Sequence, residues 1–582
     1  MDKGNYPQYH GRVIHALDGV WDFHFVDGGV KRPESPALAK VRYDDRQAVP
    51  GVFDALPRHA GKRGTAFYRT RVTVTPRANL LLKSPGLGMW GAFFWDGRRI
   101  GVHDLPYSGL EFRFNAGEGA EHEFVAVIDN RFDAERQPLL SPFFDFYSHG
   151  GIFRPLELHE VPPVSLDRAF VHVTDLKAGR VDVEVLLAGD ELPERITLTA
   201  AFDGGERKSR TLKVRNGRAK FSAVLDDKRK WDCEHPVLHT LSVSSGEETL
   251  TERFGLRTVE AKKGKILLNG KPIRLYGFCR HEAHPEFGPA LPMQIIIEDM
   301  QLLRQVGCNF VRGSHYPQDQ RFLDLCDEFG MLVWEEALGW GNRPEQYADP
   351  HFASAQLRQL APMVKNSGNH PAVILWGFMN EGSSEDPSCR FLYEAMTAEL
   401  RKLDPSRLVT YATKKFTDDI DLDLVDVVGL NTYPGWYAAD QEKYRPLDEI
   451  AVKCDTFLDF LHDKGFDDKP LIVSEIGAGA IYGWRDRLNG QWSEEYQRDY
   501  LETVLDYFSS HDRISGISLW QFIDCRTYSS ARAIRRPRAF NNKGIFDEYR
   551  RPKLAAETVT RRFRAARKLD TGHSDANGHD MP

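Results

Sequence analysis

From about residue 260 onward the sequence alternates between short apolar runs and amphipathic stretches, and this alternation constrains the fold more than any other feature. Strands are read at IRLYGFC (273–279), NFVRGS (309–314), MLVWEE (331–336), AVILWGFMNE (372–381), RLVTYAT (407–413), VVGLNTY (427–433), PLIVSEIG (470–477) and GISLWQF (516–522). Between them lie segments of helical period such as QIIIEDMQLLRQVG (294–307) and CRFLYEAMTAELRKLD (389–404). The strands are nearly continuous apolar runs, as expected when helices cover a parallel sheet. Eight strand–helix units over about 300 residues predict a (β/α)₈ barrel, placed at 259–566.

Upstream the period changes to two. Stretches such as TAFYRTRVTV (65–74) and GAFFWDGRRI (91–100), broken by Gly, Pro and Asp, predict an antiparallel jelly-roll sandwich over 1–165. A plainer version of the pattern (VDVEVLLAG, ITLTAAF, TLKVRNGRAKFSAVL, HTLSVSS) predicts a small immunoglobulin-like sandwich over 166–258, with VPPVS (161–165) at the junction. The last stretch, DTGHSDANGHDMP, is polar and unpatterned, and a disordered tail is expected over 567–582.

Composition narrows the function classes. A net charge of −7 over 582 residues is mild and argues against a nucleic-acid or anionic-membrane partner, since both require a basic surface. Charged residues interrupt every apolar run short of the roughly 20 residues needed for a membrane helix. The N-terminus, MDKGNYPQYHGRVIH, has no apolar leader core, and the seven cysteines show no CxxC spacing. Free thiols in a reducing compartment follow, so the expected location is cytoplasmic.

Catalytic groups of such a barrel sit at the C-terminal ends of its strands. The fourth strand ends in Asn380-Glu381 and the seventh in Ser474-Glu475. Two carboxylates facing one cleft suit glycoside hydrolysis, in which one protonates the leaving oxygen while the other attacks the anomeric carbon or activates water. Rim glutamates engaged in salt bridges are the plain alternative.

The segments NHPAVILWGFMNE (369–381) and LIVSEIG (471–477) resemble the acid/base and nucleophile signatures of glycoside hydrolase family 2, the group of β-galactosidases, β-glucuronidases and β-mannosidases. The resemblance extends over GFCRHEAHP (277–285), GCNFVRGSHYP (307–317) and FLDLCDEFGMLVWEE (322–336), and upstream over LDGVWDF (17–23) and FDFYSHGGIFRPLELH (144–159). It implies a sugar-binding first sandwich, Glu381 as acid/base, Glu475 as nucleophile, net retention and a homo-oligomer. No cofactor is implied; the substrate would be a small glycoside or the non-reducing end of an oligosaccharide.

RPRAFNNKGIF (536–546) carries Asn541-x-Lys543 after the eighth strand. In the β-glucuronidase branch an Asn-x-Lys in this position grips the sugar carboxylate. Chemically, an ammonium supplies charge and an amide NH₂ a directional donor. The resemblance further places Asp145 against sugar hydroxyls, Asn380 on the 2-hydroxyl, Tyr433 and Tyr437 beside the nucleophile, Trp520 against the ring and His281 on the sugar. The run His281-Glu282-Ala283-His284 is not the helical HExxH of a zinc site, so no metal is expected. The loop ALGWGNRPEQY (337–347) and the arginines before Asn541 depart from the glucuronidase pattern. These departures leave β-galacturonide open, with Arg343 or Arg538 as contacts. β-Galactosidase is the alternative enzyme and a sugar-binding barrel without catalysis the alternative non-enzyme; the latter has no need for Asn380, Glu381 and Glu475 together.

Overall fold

The computed structural model describes residues 6–142, 144–437, 447–528, 530–531 and 534–571. Its first sandwich packs a six-stranded antiparallel sheet on a four-stranded one. The strand Trp90–Trp95 explains the apolar run there: Phe93 and Trp95 face the inter-sheet core, whereas Trp90, Ala92 and Phe94 face a second core covered by Leu38, Val41 and Tyr43. Asp96-Gly97, both at positive φ, turn this strand into Arg98–His103, as a tight hairpin requires.

The second sandwich has sheets of three and five strands. Its five-stranded sheet gains an edge strand from the start of the chain, Gln8–His10, which pairs with residues 249–251. Residues 8–10 were expected in the first sandwich; backbone pairing places them in the second.

A three-stranded meander (259–273) leads into a closed barrel of eight parallel strands. These are β1 (Leu275–Arg280), β2 (Phe310–Gly313), β3 (Leu332–Glu336), β4 (Val373–Asn380), β5 (Leu408–Thr413), β6 (Val428–Asn431), β7 (Leu471–Ile476) and β8 (Ile514–Leu519). Both helices read from the sequence are present, Met293–Val306 and Arg390–Leu403; the first stops at Gly307, whose φ of 98° suits a residue without Cβ. One unit departs from the expected pattern. Residues 414–427, between β5 and β6, form only two 3₁₀ turns, since their closely spaced aspartates favour turns over a helix.

Inside the barrel Trp334 of β3 lies against Gly377 and Gly429. A Cβ at Gly377 would stand 2.0 Å from the indole Nε1, so these two bare positions make the room for the ring. The final helix runs to Thr571, four residues beyond the expected start of the tail; residues 572–582 lie outside the described chain. All seven cysteines are free, and among the described residues no helix is long and apolar enough to cross a membrane.

Candidate active site

The first sandwich reaches the barrel through a loop between its strands, residues 130–150. Phe144 and Phe146 are buried in the same core as the barrel, so the loop is anchored by apolar burial. Asp54 ties its ends, accepting from Asn130 Nδ2 (2.9 Å) and from the Gly150 amide (3.0 Å), with His149 Nδ1 at 2.9 Å. Burial opposes that charge, but His149 and Arg63 hold the Asp54 carboxyl below its ordinary value. A buried pair, Arg154 to Glu282 at 2.6 Å, locks the same sandwich to the end of β1.

At the C-terminal mouth, Arg312 of β2 lies fully buried at the centre of the polar cluster. It donates to Glu475 Oε1 (2.7 Å), to Asn380 Oδ1 (2.8 Å) and to Glu336 Oε2 (2.9 Å). Glu475 takes its second bond from Tyr433 OH, 2.6 Å from Oε2. Glu381, the first residue past β4 at a φ of 52°, accepts from Lys414 Nζ at Oε2 (2.7 Å) and from Asn431 Nδ2 at Oε1 (3.1 Å). Asn431 and Tyr433 are two positions apart at the end of β6, so one short stretch holds both carboxylates on the same side.

The electrostatics separate the pair. Burial, together with the neighbouring Glu381 charge, pushes the Glu475 carboxyl up to about 7 against the pull of Arg312 and Tyr433. Burial also works to raise Glu381, yet Lys414, Asn431 and His315 hold it below its ordinary 4.5. In the free site both shifts run against the roles of an acid at Glu381 and a nucleophile at Glu475.

Around them stand buried polar atoms without a hydrogen-bond partner among the described residues: Asn380 Nδ2, His281 Nε2, Asn541 Oδ1 and His315 Nε2, the last 3.6 Å from Glu475 Oε1. Both imidazoles are kept neutral, with burial holding each well below its ordinary pKa. His315 stacks on Trp520 at 5.2 Å and His281 meets it edge-on at 5.4 Å, so Trp520 braces two histidines.

On the other side of the mouth Asp145 accepts from Arg536 Nε (2.8 Å) and Nη2 and from Asn541 Nδ2 (2.9 Å). Lys543 is 2% exposed; its ammonium donates to Tyr437 OH and lies 4.9 Å from the Tyr433 ring centroid and 5.7 Å from that of Trp436. No carboxylate pairs with Lys543 among the described residues. Burial, then the Arg536 charge, lowers its pKa well below that of an ordinary lysine.

Known proteins share this architecture. The family model described as "Glycosyl hydrolases family 2, TIM barrel domain" matches residues 259–567, more than half of the chain. The chain belongs to glycoside hydrolase family 2. It is a glycoside hydrolase, similar to the β-glucuronidase of Sus scrofa (30% identity over 436 residues, 72% of this chain and 65% of that protein, hence just under two thirds of its length). The β-glucuronidase of Mus musculus is 29% identical over 97% of this chain and 92% of its own. Among solved structures, a family 2 β-galacturonidase from Eisenbergiella tayi bound to galacturonate superposes with a TM-score of 0.86 at 30% identity, covering 96% of this chain and 99% of that one.

Three expectations for this family 2 site need correction. Arg538 is turned away from the pocket, bound to Glu548 (2.8 Å) and Asn542 (2.9 Å), while Arg536 is the buried arginine; Arg538 sits at a φ of 60°, and this left-handed kink reverses the side-chain order. One N–H of the Asn541 amide is taken by Asp145, which leaves the other for a ligand. Tyr437 binds Arg536 (3.1 Å) and Lys543, not Glu475. Arg343 is solvent-exposed at the start of the short helix Pro344–Tyr347 after β3. Glu282 and His284 also leave His281, toward Arg154 and Glu286 respectively. Sequence reading missed Arg312, His315, Lys414, Asn431 and Arg536. For Arg312 the signal was present: a charge inside an apolar strand is seldom buried without a purpose.

Proposed function

We propose that the chain is a retaining exo-β-glycosidase of terminal uronic acids. The observation that supports the uronide most is Lys543. Asp145 offsets Arg536, which leaves one buried ammonium in an aromatic cage with a hydroxyl as its partner, and a carboxylate is the ligand that would complete it. Similarity to the β-galacturonidase and β-glucuronidases named above favours the same class.

The two carboxylates divide the work. Glu475, fixed at both oxygens by Arg312 and Tyr433, has the donors an anion requires and attacks C1. As the C1–O bond breaks, Glu381 gives its proton to the leaving oxygen. Water then takes the place of the leaving group, Glu381 removes its proton, and the bond to Glu475 is broken with the configuration retained. Asn380, fixed through Oδ1 by Arg312 and Asn431, offers its unpartnered NH₂ to a sugar hydroxyl. The closed first sandwich loop over one side suits attack at a chain end.

Turnover of four p-nitrophenyl β-glycosides, the glucuronide, galacturonide, galactoside and glucoside, tests this reading. Activity on the two acids with little on the neutral sugars supports it, and their ratio gives the C4 preference. Preference for the galactoside would overturn it.

A further inference from the structure

Lys414 belongs to the cluster but has no part in the proposed chemistry, and it sits where it obstructs that chemistry. Its Nζ lies 2.7 Å from Glu381 Oε2, while Asn431 Nδ2 occupies Oε1. These donors favour the anion of Glu381, and an acid catalyst must instead present a proton to the glycosidic oxygen. Lys414 must leave Glu381 before that proton can be placed.

The position of Lys414 says what could draw it away. It follows the end of β5, and its side chain is 42% exposed, whereas the side chain of Glu381 is 10% exposed. The neighbouring Lys415 is already paired with Glu385, so the two lysines are not a general basic patch. The segment after β3 stands beside it: the Trp340 ring centroid lies 6.0 Å from Lys414 Nζ, and Asn342 is buried with neither side-chain polar atom partnered among the described residues. Glu381 has to approach the glycosidic oxygen to about 3 Å to protonate it. An anion that takes up Lys414 thus lies within about 9 Å of that oxygen, on the leaving-group side.

We infer that Lys414 forms a leaving-group subsite for a carboxylate-bearing aglycone, such as an adjoining sugar acid, and that engaging this carboxylate releases Glu381 to act as the acid. The inference rests on the glycosidase assignment of the site, and on the uronide reading only for the choice of sugar. With Lys414 drawn off, Glu381 takes a proton from solvent and passes it to the leaving oxygen; no other reactant is needed. Lys414 is a positioning residue here, for it acts through Glu381. The other titratable groups that act on Glu381 are His315, Tyr433, Tyr437, Glu475 and Lys543. Tyr437 is comparably exposed, at 47%, but it binds Arg536 and Lys543 and not Glu381.

The test is a matched pair of aryl β-uronides, 3-carboxyphenyl and its methyl ester, hydrolysed by the full chain and by its Lys414→Met and Lys414→Arg variants. The ester is the better leaving group, which works against the expected result. The wild type should favour the acid in kcat/KM by about tenfold or more, Lys414→Arg should keep much of the preference and Lys414→Met should abolish it. On the ester, Lys414→Met should also move the acid limb of the pH profile upward, a shift that a merely structural role would not produce. No preference in the wild type, or one that survives Lys414→Met, overturns the inference. The same pair made as β-galactosides separates the two readings: turnover of those alone, with the Lys414 preference intact, would fail the uronide and keep the subsite.

Discussion

Asp145 and Arg536 form a buried ion pair across 391 residues of chain, with Arg536 Nε 2.8 Å from Asp145 Oδ1. One belongs to the first sandwich and the other to the loop after the barrel closes. The pocket is therefore not a property of the barrel alone, and the pair also cancels one positive charge, so that Lys543 stands as the uncompensated one.

Removing one member of such a pair strands the other. Arg536→Ala should cost about 3–5 kcal/mol and lower the urea midpoint along with turnover. Arg538→Ala, at a half-exposed site facing away, should change stability by about 0.5 kcal/mol or less and leave turnover near the wild-type rate. Greater damage from Arg538→Ala would reverse this assignment.

Lys543→Met removes the ammonium while keeping apolar bulk among the aromatic rings. Uronide kcat/KM should fall by about 10- to 100-fold, the worth of a charge-assisted hydrogen bond, with β-galactoside turnover spared. An equal loss on both substrates would exclude carboxylate recognition by Lys543.

Alanine at Glu475 or Glu381 should lower kcat by at least about 10²–10⁴-fold without unfolding the chain. For Glu381→Ala the loss should shrink as the leaving group improves, because less protonation is needed; for Glu475→Ala it should not. A leaving-group plot for the two variants distinguishes the roles.

The pair must hold one proton between its two members. Below the lower pKa both carboxyls are protonated and none can attack; above the higher one no proton is left to give. Plots of kcat/KM against pH should therefore be bell-shaped, with the alkaline limb near pH 7 and the acid limb below 4.5. An alkaline limb well above 8 would mean that Glu475 and Glu381 are not the coupled pair.

Much of this arrangement was legible in the sequence because it follows from periodicity. Every barrel strand was visible as an apolar run, and both carboxylates could be placed by the rule that strand ends carry chemistry. What escaped depends on local backbone turns and on partners distant in the chain. Nothing in RPRAF says that Arg538 has a φ of 60°, yet that angle decides which arginine enters the pocket. The use of the Asn541 amide could not be foreseen without the position of Asp145, fixed by a loop 396 residues earlier. Lys414 and Asn431 looked like ordinary strand-end residues until the barrel closed around Glu381.

The pairing of Gln8–His10 with residues 249–251 bears on how the chain is made. Synthesis runs from the N-terminus, so this strand emerges early and must wait, unpaired, until some 240 later residues have followed it. The first sandwich, whose strands all lie between those two points, can close in the meantime without it. A ribosome-bound fragment ending before residue 248 would then hold one finished sandwich and one bare strand with nowhere to dock, and protease should clip such a fragment at Gln8–His10 while sparing that strand in the full chain.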